Sequence, residues 1–423
     1  MITLIEDIHD YEVSALINKL ISFIGRKEVE RCLEKYRASL QSSSYIFREY
    51  YLKYRHPWWH ALTEFFEIEK SGKSVRRHLS EELKILAGDA KKINTLQKIM
   101  PECIKEKYKR DLADDERAYD YLFELQIAWH FFLKGYYIKW HENDSERHSE
   151  FLVKASDFEF NVECKRISVD ASRKIRRRDF YRLAEKVIPN IEDMGYFGII
   201  DIILEDKLDR NENFLNKIVS QVCQEISNKR LNGDYKIPSG TLHLELKQTT
   251  GIPINIHDHF NDLWKRKSHQ AHGVIIAKAK YGKPVDPIEL TLMCNKSNKV
   301  LDGIRDTISE AGKLQLDKSK PGLIVCFLEG IDDLSELATD SGLQIMSSLL
   351  LLKDSFAHIA ALCYSSEKRI EKDANTERFP NQALIYRNPL CKFEQARDFQ
   401  FLSRVENKFQ YRLSDILPSK TSR

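Results

Sequence analysis

Apolar residues recur at helical spacing along roughly the first 110 residues, a stretch with few glycines, which predicts a helical N-terminal region. Ala15-Leu16-Ile17, Leu20-Ile21 and Phe23-Ile24 fit one helix face, and residues 29–40 fit a second helix. The aromatic stretch 45–54 runs into His56-Pro57-Trp58-Trp59-His60, where the proline predicts a new helix start because its fixed φ suits a first turn. Residues 91–110 are charged and read as a connection. Residues 122–140, LFELQIAWHFFLKGYYIKW, read as an amphipathic helix closed by Gly135 and followed by a strand. The period then changes from helical to two. Residues 149–166, SEFLVKASDFEFNVECKR, predict two short strands joined by a polar turn at Ser156-Asp157.

Further along, residues 173–187 predict a helix ending just before Pro189. Residues 196–204 predict a buried strand and 214–231 a helix, with further strands at 241–248 and 274–280. An amphipathic helix follows at 299–316, stopped by Lys320-Pro321-Gly322 before an apolar strand at 323–328. A helix at 343–353 and strands at 357–364 and 383–386 complete the pattern, around a polar loop at 365–381. Residues 416–423 read as a frayed tail. There is no internal repeat and no low-complexity tract.

At 423 residues the chain is long enough for two or three domains, and 42% hydrophobic with 31% charged residues is ordinary for a soluble protein. A net charge of +3 supplies no global field, so any basic surface must be local. The eight cysteines form no C-x-x-C pair, which favours reduced thiols over disulfides or a zinc cluster. The opening MITLIEDIHDYEV is acidic and lacks the basic n-region of a signal peptide, and no apolar run approaches membrane-spanning length. A cytoplasmic protein without membrane contact is the expectation.

The 149–166 hairpin carries the candidate chemistry. Period-two alternation sends Glu163 and Lys165 to one face and Val162 and Cys164 to the other, into a core. With Glu150 across the hairpin, two carboxylates and an ammonium meet the needs of metal-assisted phosphodiester hydrolysis. The acids can hold Mg²⁺ or Mn²⁺, and the lysine can orient the attacking water. Asp157 in the turn competes with Glu150 for the first ligand position. The plain alternative makes Glu163 and Lys165 the wet face of an amphipathic strand, which is how a second E-x-K, Glu245-Leu246-Lys247, reads. Six basic residues within ten (Arg173, Lys174, Arg176, Arg177, Arg178 and Arg182) suit phosphate-backbone contacts or a solvated helix face. The aromatics around 45–60 read as bundle core in preference to a stacking platform, and His257-Asp258-His259 as surface residues. No P-loop, G-x-G-x-x-G, G-x-S-x-G or H-E-x-x-H motif offers competing chemistry.

Glu150 followed by Glu163-x-Lys165, behind a helix, a glycine and a strand, resembles the active-site signature of the PD-(D/E)xK (restriction-endonuclease-like) nuclease superfamily. Ser149-Glu150 stands where that family's Pro-Asp is expected. The resemblance implies an α/β (α+β) fold with a central mixed sheet flanked by helices. It makes Glu124 the matching helix glutamate, which would bind a second metal or hold Lys165, and adds the backbone carbonyl of Cys164 as a metal ligand. The 299–316 helix and its following strand resemble the pair that follows the E-x-K strand in such nucleases, with Gln315 in a supporting place. The implied organisation is a helical module at 1–112, a nuclease core at 113–170 and 298–415, an inserted α/β subdomain at 171–297, and the tail. The implied activity is Mg²⁺-dependent DNA endonuclease, of a prokaryotic defence or restriction type, acting on DNA in preference to RNA and compatible with a homodimer or a partner protein. The alternative is a catalytically inactive nuclease-fold protein that binds nucleic acid or a protein.

Overall fold

Helical spacing of apolar residues becomes burial of one face. In the Val13–Ile24 helix, Val13, Ile17, Leu20, Ile21 and Ile24 are all buried. The computed structural model describes residues 8–141, 149–155, 158–168, 172–209, 211–248, 272–276, 279–280, 283–284, 287–296, 299–331, 337, 342–366, 384–397 and 399–402. Asp157, His257-Asp258-His259 and the expected tail lie outside these residues. No helix among the described residues is long and apolar enough to cross a membrane.

In chain order the first strands are β1 (Tyr137–Trp140), β2 (Phe151–Ala155) and β3 (Phe158–Ser168). Then come β4 (Tyr196–Leu204), β5 (Asn232–Ile237), β6 (Gly240–Gln248), β7 (His272–Ile276), β8 (Ala279–Lys280), β9 (Lys283–Pro284) and β10 (Ile288–Cys294). The last are β11 (Gly322–Glu329), β12 (Ile359–Ser366) and β13 (Leu384–Arg387). The chain divides into two units. One comprises Met1–Arg37, Arg55–Ile167 and Leu301–Arg423, the other Ala38–Tyr54 and Ser168–Val300. The segment read as an insertion, 171–297, falls within the second. Residues 1–112 do not form a unit of their own, because 38–54 group with the second unit and the rest with the first.

The first unit is built on a six-stranded mixed sheet in the order β1-β2-β3-β11-β12-β13. β1, β2 and β3 pair antiparallel, β11 and β12 parallel, and β12 and β13 antiparallel. β3 is central, and from Phe160 to Cys164 it is buried on both faces, as a strand covered on both sides must be. The Ala118–Leu133 helix is not amphipathic as expected. Every residue from Tyr121 to Trp129 is buried, so it is a core helix and any polar group on it needs an internal partner. Gly135, at φ 77°, closes it in a left-handed turn that glycine adopts without steric cost.

The second unit carries the sheet β5-β6-β4-β10-β7 and the separate ribbon β8-β9. Phe180, Leu183, Ala184, Val187, Ile188 and Ile191 of the Arg177–Asp193 helix join the core formed by Ile200, Ile202, Leu242, Leu244, Leu290 and Leu292. This burial explains why the helix runs through Pro189 to Asp193 when the sequence predicts a stop, since six buried apolar side chains outweigh the ~3 kcal/mol cost of an interior proline. Other boundaries move for local reasons. The 214–231 helix ends at Ser227, and a left-handed Lys229 (φ 58°) turns the chain into the unpredicted edge strand β5. The 299–316 helix is α-helical over Val300–Glu310 and finishes as a π-turn over Ala311–Gln315. A 3₁₀ turn at Asp354–Phe356 delays the strand expected at 357 to Ile359.

The charged stretch 91–110 is not a linker. It lies in the helices Glu81–Leu96 and Glu102–Leu112, and Lys92 is buried. Lys92 Nζ lies 3.3 Å from Asp89 Oδ1 and donates to Gln126 Oε1 at 2.5 Å, while Trp58 Nε1 donates to Asp89 Oδ2 at 3.1 Å. Beside it, His56 stacks on Trp59 with centroids 3.8 Å apart. Burial lowers the His56 pKa to about 3, so the ring is neutral; Nδ1 accepts from the Trp58 amide and Nε2 donates to the Leu112 carbonyl. These aromatics are core. Lys92→Ala strands the Asp89 charge, and breaking such a buried pair costs about 3–5 kcal/mol. Urea denaturation should show this as a lower midpoint with an unchanged slope; a loss below ~1 kcal/mol would mean the pair is not what fixes these helices.

Candidate active site

The β2–β3 hairpin and the Ala118–Leu133 and Glu102–Leu112 helices bring three glutamates together. Phe151 pairs with Val162 across the hairpin, and the antiparallel register carried one step further sets Glu150 opposite Glu163. Glu163 is 1% exposed, so it is no wet-face residue. Its Oε1 lies 2.5 Å from Lys165 Nζ, an ion pair between neighbours on the same face. That contact, like the approach of the Glu150 amide, lacks the geometry of a full hydrogen bond, and both Glu163 oxygens are buried without one. Burial first, and the Glu150 charge second, push the Glu163 pKa up to about 8, against the pull of Lys165 and the Glu150 amide.

The other two acids are held in the same way. Burial raises Glu150, with the charges of Lys165 and Lys107 drawing it back. Burial and the Glu150 charge raise Glu124 well above the carboxylate range, while the Tyr108 hydroxyl, donating to its Oε2 at 2.7 Å, and Lys107 act the other way. Lys165 answers all three. Burial disfavours its charge, but Glu163, then Glu150 and Glu124, hold its pKa above the usual lysine value.

A second charged group borders the cluster. Arg166, which alternates away from Lys165 along β3, lies 3.2 Å from Asp120 Oδ1 and 2.5 Å from Glu329 Oε1, with its guanidinium 5.0 Å from the Tyr119 ring centroid. Asp120 sits one helical turn before Glu124, and its charge adds to the rise at Glu150.

Among the described residues, no three His, Cys, Asp or Glu side chains form a closed metal cage. Mg²⁺ needs none, because it keeps several waters and is held by one or two carboxylates with substrate phosphate. The donor set fits such an ion. Glu163 presents buried oxygens without hydrogen bonds, and three desolvated carboxylates repel one another around a single close ammonium. Were such an ion bound, Glu150 and Glu163 would be its ligand pair, with the Cys164 carbonyl between Glu163 and Lys165 on β3. The Cys164 side chain is buried, and burial together with the three glutamate charges raises its thiol pKa well above the usual value.

The remaining expected residues fall elsewhere. Gln315 lies in the π-turn, its Oε1 buried without a hydrogen-bond partner. Arg173, Lys174, Arg176, Arg177, Arg178 and Arg182 belong to the second unit. The expected helix over this run starts only at Arg177; Arg176 and Arg178 are exposed, and Arg182 is ion-paired with Glu212. The second E-x-K lies on β6 with Glu245 and Lys247 exposed and Leu246 buried. Sequence reading missed Tyr108, Lys107, Asp120, Arg166 and Glu329. Only Asp120, at i−4 from Glu124, left a trace in the spacing. No family model matches this chain, and no curated protein or solved structure is detectably similar to it.

The raised Glu163 pKa gives stability a sign. A carboxyl that titrates near 4.5 in the unfolded chain and near 8 in the fold contributes its full stabilisation below 4.5 and loses it as pH rises through 8. The metal-free protein should therefore melt at falling temperature between pH 5 and 9. Glu163→Gln should flatten that decline and raise the Tm above pH 8, by about 2–4 °C for each kcal/mol relieved. A decline of the same slope in the variant would assign the pH dependence to other groups.

Proposed function

We propose that this protein is a metal-dependent nuclease that hydrolyses DNA phosphodiester bonds on a restriction-endonuclease-like core. The observation that carries the reading is Glu163: a fully buried carboxylate beside Lys165 and opposite Glu150 on the central strand of a sheet. Two further features support the fold. The order helix, β1, β2, β3, then helix, β11, helix, β12 gives a mixed sheet, and a buried glutamate-bearing helix precedes the hairpin. Such a site offers polar groups that a merely structural strand would not retain, because leaving them buried costs free energy.

Glu150 and Glu163, with the Cys164 carbonyl, would hold the divalent cation. When bound, Mg²⁺ or Mn²⁺ supplies charge neutralisation at the scissile phosphate and acidifies the attacking water. Lys165 orients that water by a hydrogen bond and stabilises the charge that builds on the phosphoryl oxygens. Tyr108 fixes Glu124, which in turn acts on Lys165 from the helix side. One water is consumed, one P–O ester bond breaks, and a phosphate monoester and a hydroxyl result. A second reading, a nuclease-fold protein that binds nucleic acid or a protein without cutting, draws on the closed Glu163–Lys165 contact and on Ser149-Glu150 where Pro-Asp is expected.

Plasmid and linear DNA incubated with the protein in Mg²⁺, Mn²⁺ or EDTA separate the two. Cleavage that needs the metal and falls at least ~100-fold in both Glu163→Ala and Lys165→Ala is the expected result. Intact DNA in every lane, with folded protein, favours the binding reading; cutting that survives both substitutions removes the site assignment.

A further inference from the structure

The face of β3 that carries Glu163 also carries Glu159, Asn161 and Lys165, since residues two apart on a strand project together. Three of these four have an opposite charge within reach. Glu159 lies 3.0 Å from Lys320 Nζ and 3.8 Å from Lys154 Nζ, and Glu163 lies 2.5 Å from Lys165 Nζ. Asn161 is the exception. It is 2% exposed, yet its Nδ2 has no hydrogen-bond partner among the described residues. Its register partner across the hairpin, Leu152, is apolar and offers none. The backbone here is pinned, because the Asn161 N–H donates to the Pro321 carbonyl at 2.8 Å, just before β11 begins. A buried amide in this state costs the fold free energy that an apolar side chain of similar shape would not.

The unmet groups on this face are complementary. Asn161 Nδ2 is a donor without an acceptor, and Glu163 Oε1 and Oε2 are acceptors without a full hydrogen bond. The two residues stand about 7 Å apart along the strand, a separation their side chains span together. We propose that Asn161 is a positioning residue of this site, whose amide donates to one Glu163 oxygen while the other engages the divalent cation. The inference rests on the metal-dependent reading of Glu163 and extends it. Carboxylates that hold a metal are themselves held by hydrogen bonds from outside, and loss of such a partner costs about 10–100-fold in metal affinity or activity. With Asn161 fixing Glu163, Lys165 is left to the water and the phosphate. The buried amide thus has a use that a merely structural strand would not give it.

The test is Mn²⁺ binding to the full-length protein without DNA, followed by isothermal titration calorimetry, with thermal melts of the metal-free forms. Wild type and Glu163→Ala define the site. Asn161→Leu and Asn161→Val remove the donor, and Asn161→Gln keeps an amide. Wild type should bind Mn²⁺ and Glu163→Ala should not. Both apolar variants should bind about 10–100-fold more weakly, and Asn161→Gln should recover part of that loss. The metal-free Tm of the apolar variants should stay level or rise, because an unsatisfied buried amide has been removed. Wild-type affinity in both apolar variants, in a protein that binds Mn²⁺ through Glu163, would overturn the Asn161 assignment alone. So would weaker binding matched in both by a fall in the metal-free Tm, the mark of a structural residue. A wild type that neither binds Mn²⁺ nor cuts DNA would overturn the metal-dependent reading and the Asn161 assignment with it.

Discussion

Glu163 cannot reach water, and the first unit is arranged around that fact. β3 is the central strand of its sheet, covered on both sides, so a carboxylate at this position must be neutralised, paired or used. Lys165 supplies the nearest opposite charge at 2.5 Å, yet one ammonium cannot satisfy Glu163, Glu150 and Glu124 together. The shortfall has one direction: burial drives all three carboxyls upward, and the charges that oppose it do not cancel the rise. A cluster in this condition is costly to a fold unless a cation completes it.

The elements around β3 divide the load. The Ala118–Leu133 helix is buried from Tyr121 to Trp129, so Glu124 is committed to an internal partner, while Asp120 sits at its half-exposed first turn. Glu124 takes the Tyr108 hydroxyl, and Asp120, one turn earlier, takes Arg166. Alternation along β3 sends Lys165 and Arg166 to opposite faces, which separates two ion-pair systems by one residue of sequence. The Glu102–Leu112 helix, charged on one side with Ile104, Tyr108 and Leu112 buried on the other, brings the Tyr108 hydroxyl to Glu124. A polar site in a core is stable only when each buried group finds its counterpart, and here the counterparts come from three elements far apart in the chain.

The two E-x-K triplets show what environment adds to a motif. Glu245 and Lys247 project from β6 into solvent, with Leu246 buried behind them. Glu163 and Lys165 share the spacing and the alternation, yet Glu163 is fully buried and electrostatically coupled to two other glutamates. The same three letters give a solvated strand face in one unit and a candidate metal site in the other. The difference lies in what pairs with the strand and what covers it.

The sequence by itself determined the local structure. Helical and period-two spacing placed most elements within a few residues, the change of period at residue 149 located the hairpin, and alternation set Glu163 beside Lys165. It also placed Glu124 on a helix ahead of the strands. Tertiary structure decided the rest. Packing carried a helix through Pro189, made an edge strand of Asn232–Ile237, and drew the charged stretch 91–110 into the core with Lys92 buried against Asp89. It also brought Tyr108 to Glu124 and took the 173–182 basic run into the second unit. Spacing along a chain reports the faces of single elements, because those follow from backbone geometry. Which faces meet, and hence which charges are desolvated together, depends on contacts between residues that no local pattern connects.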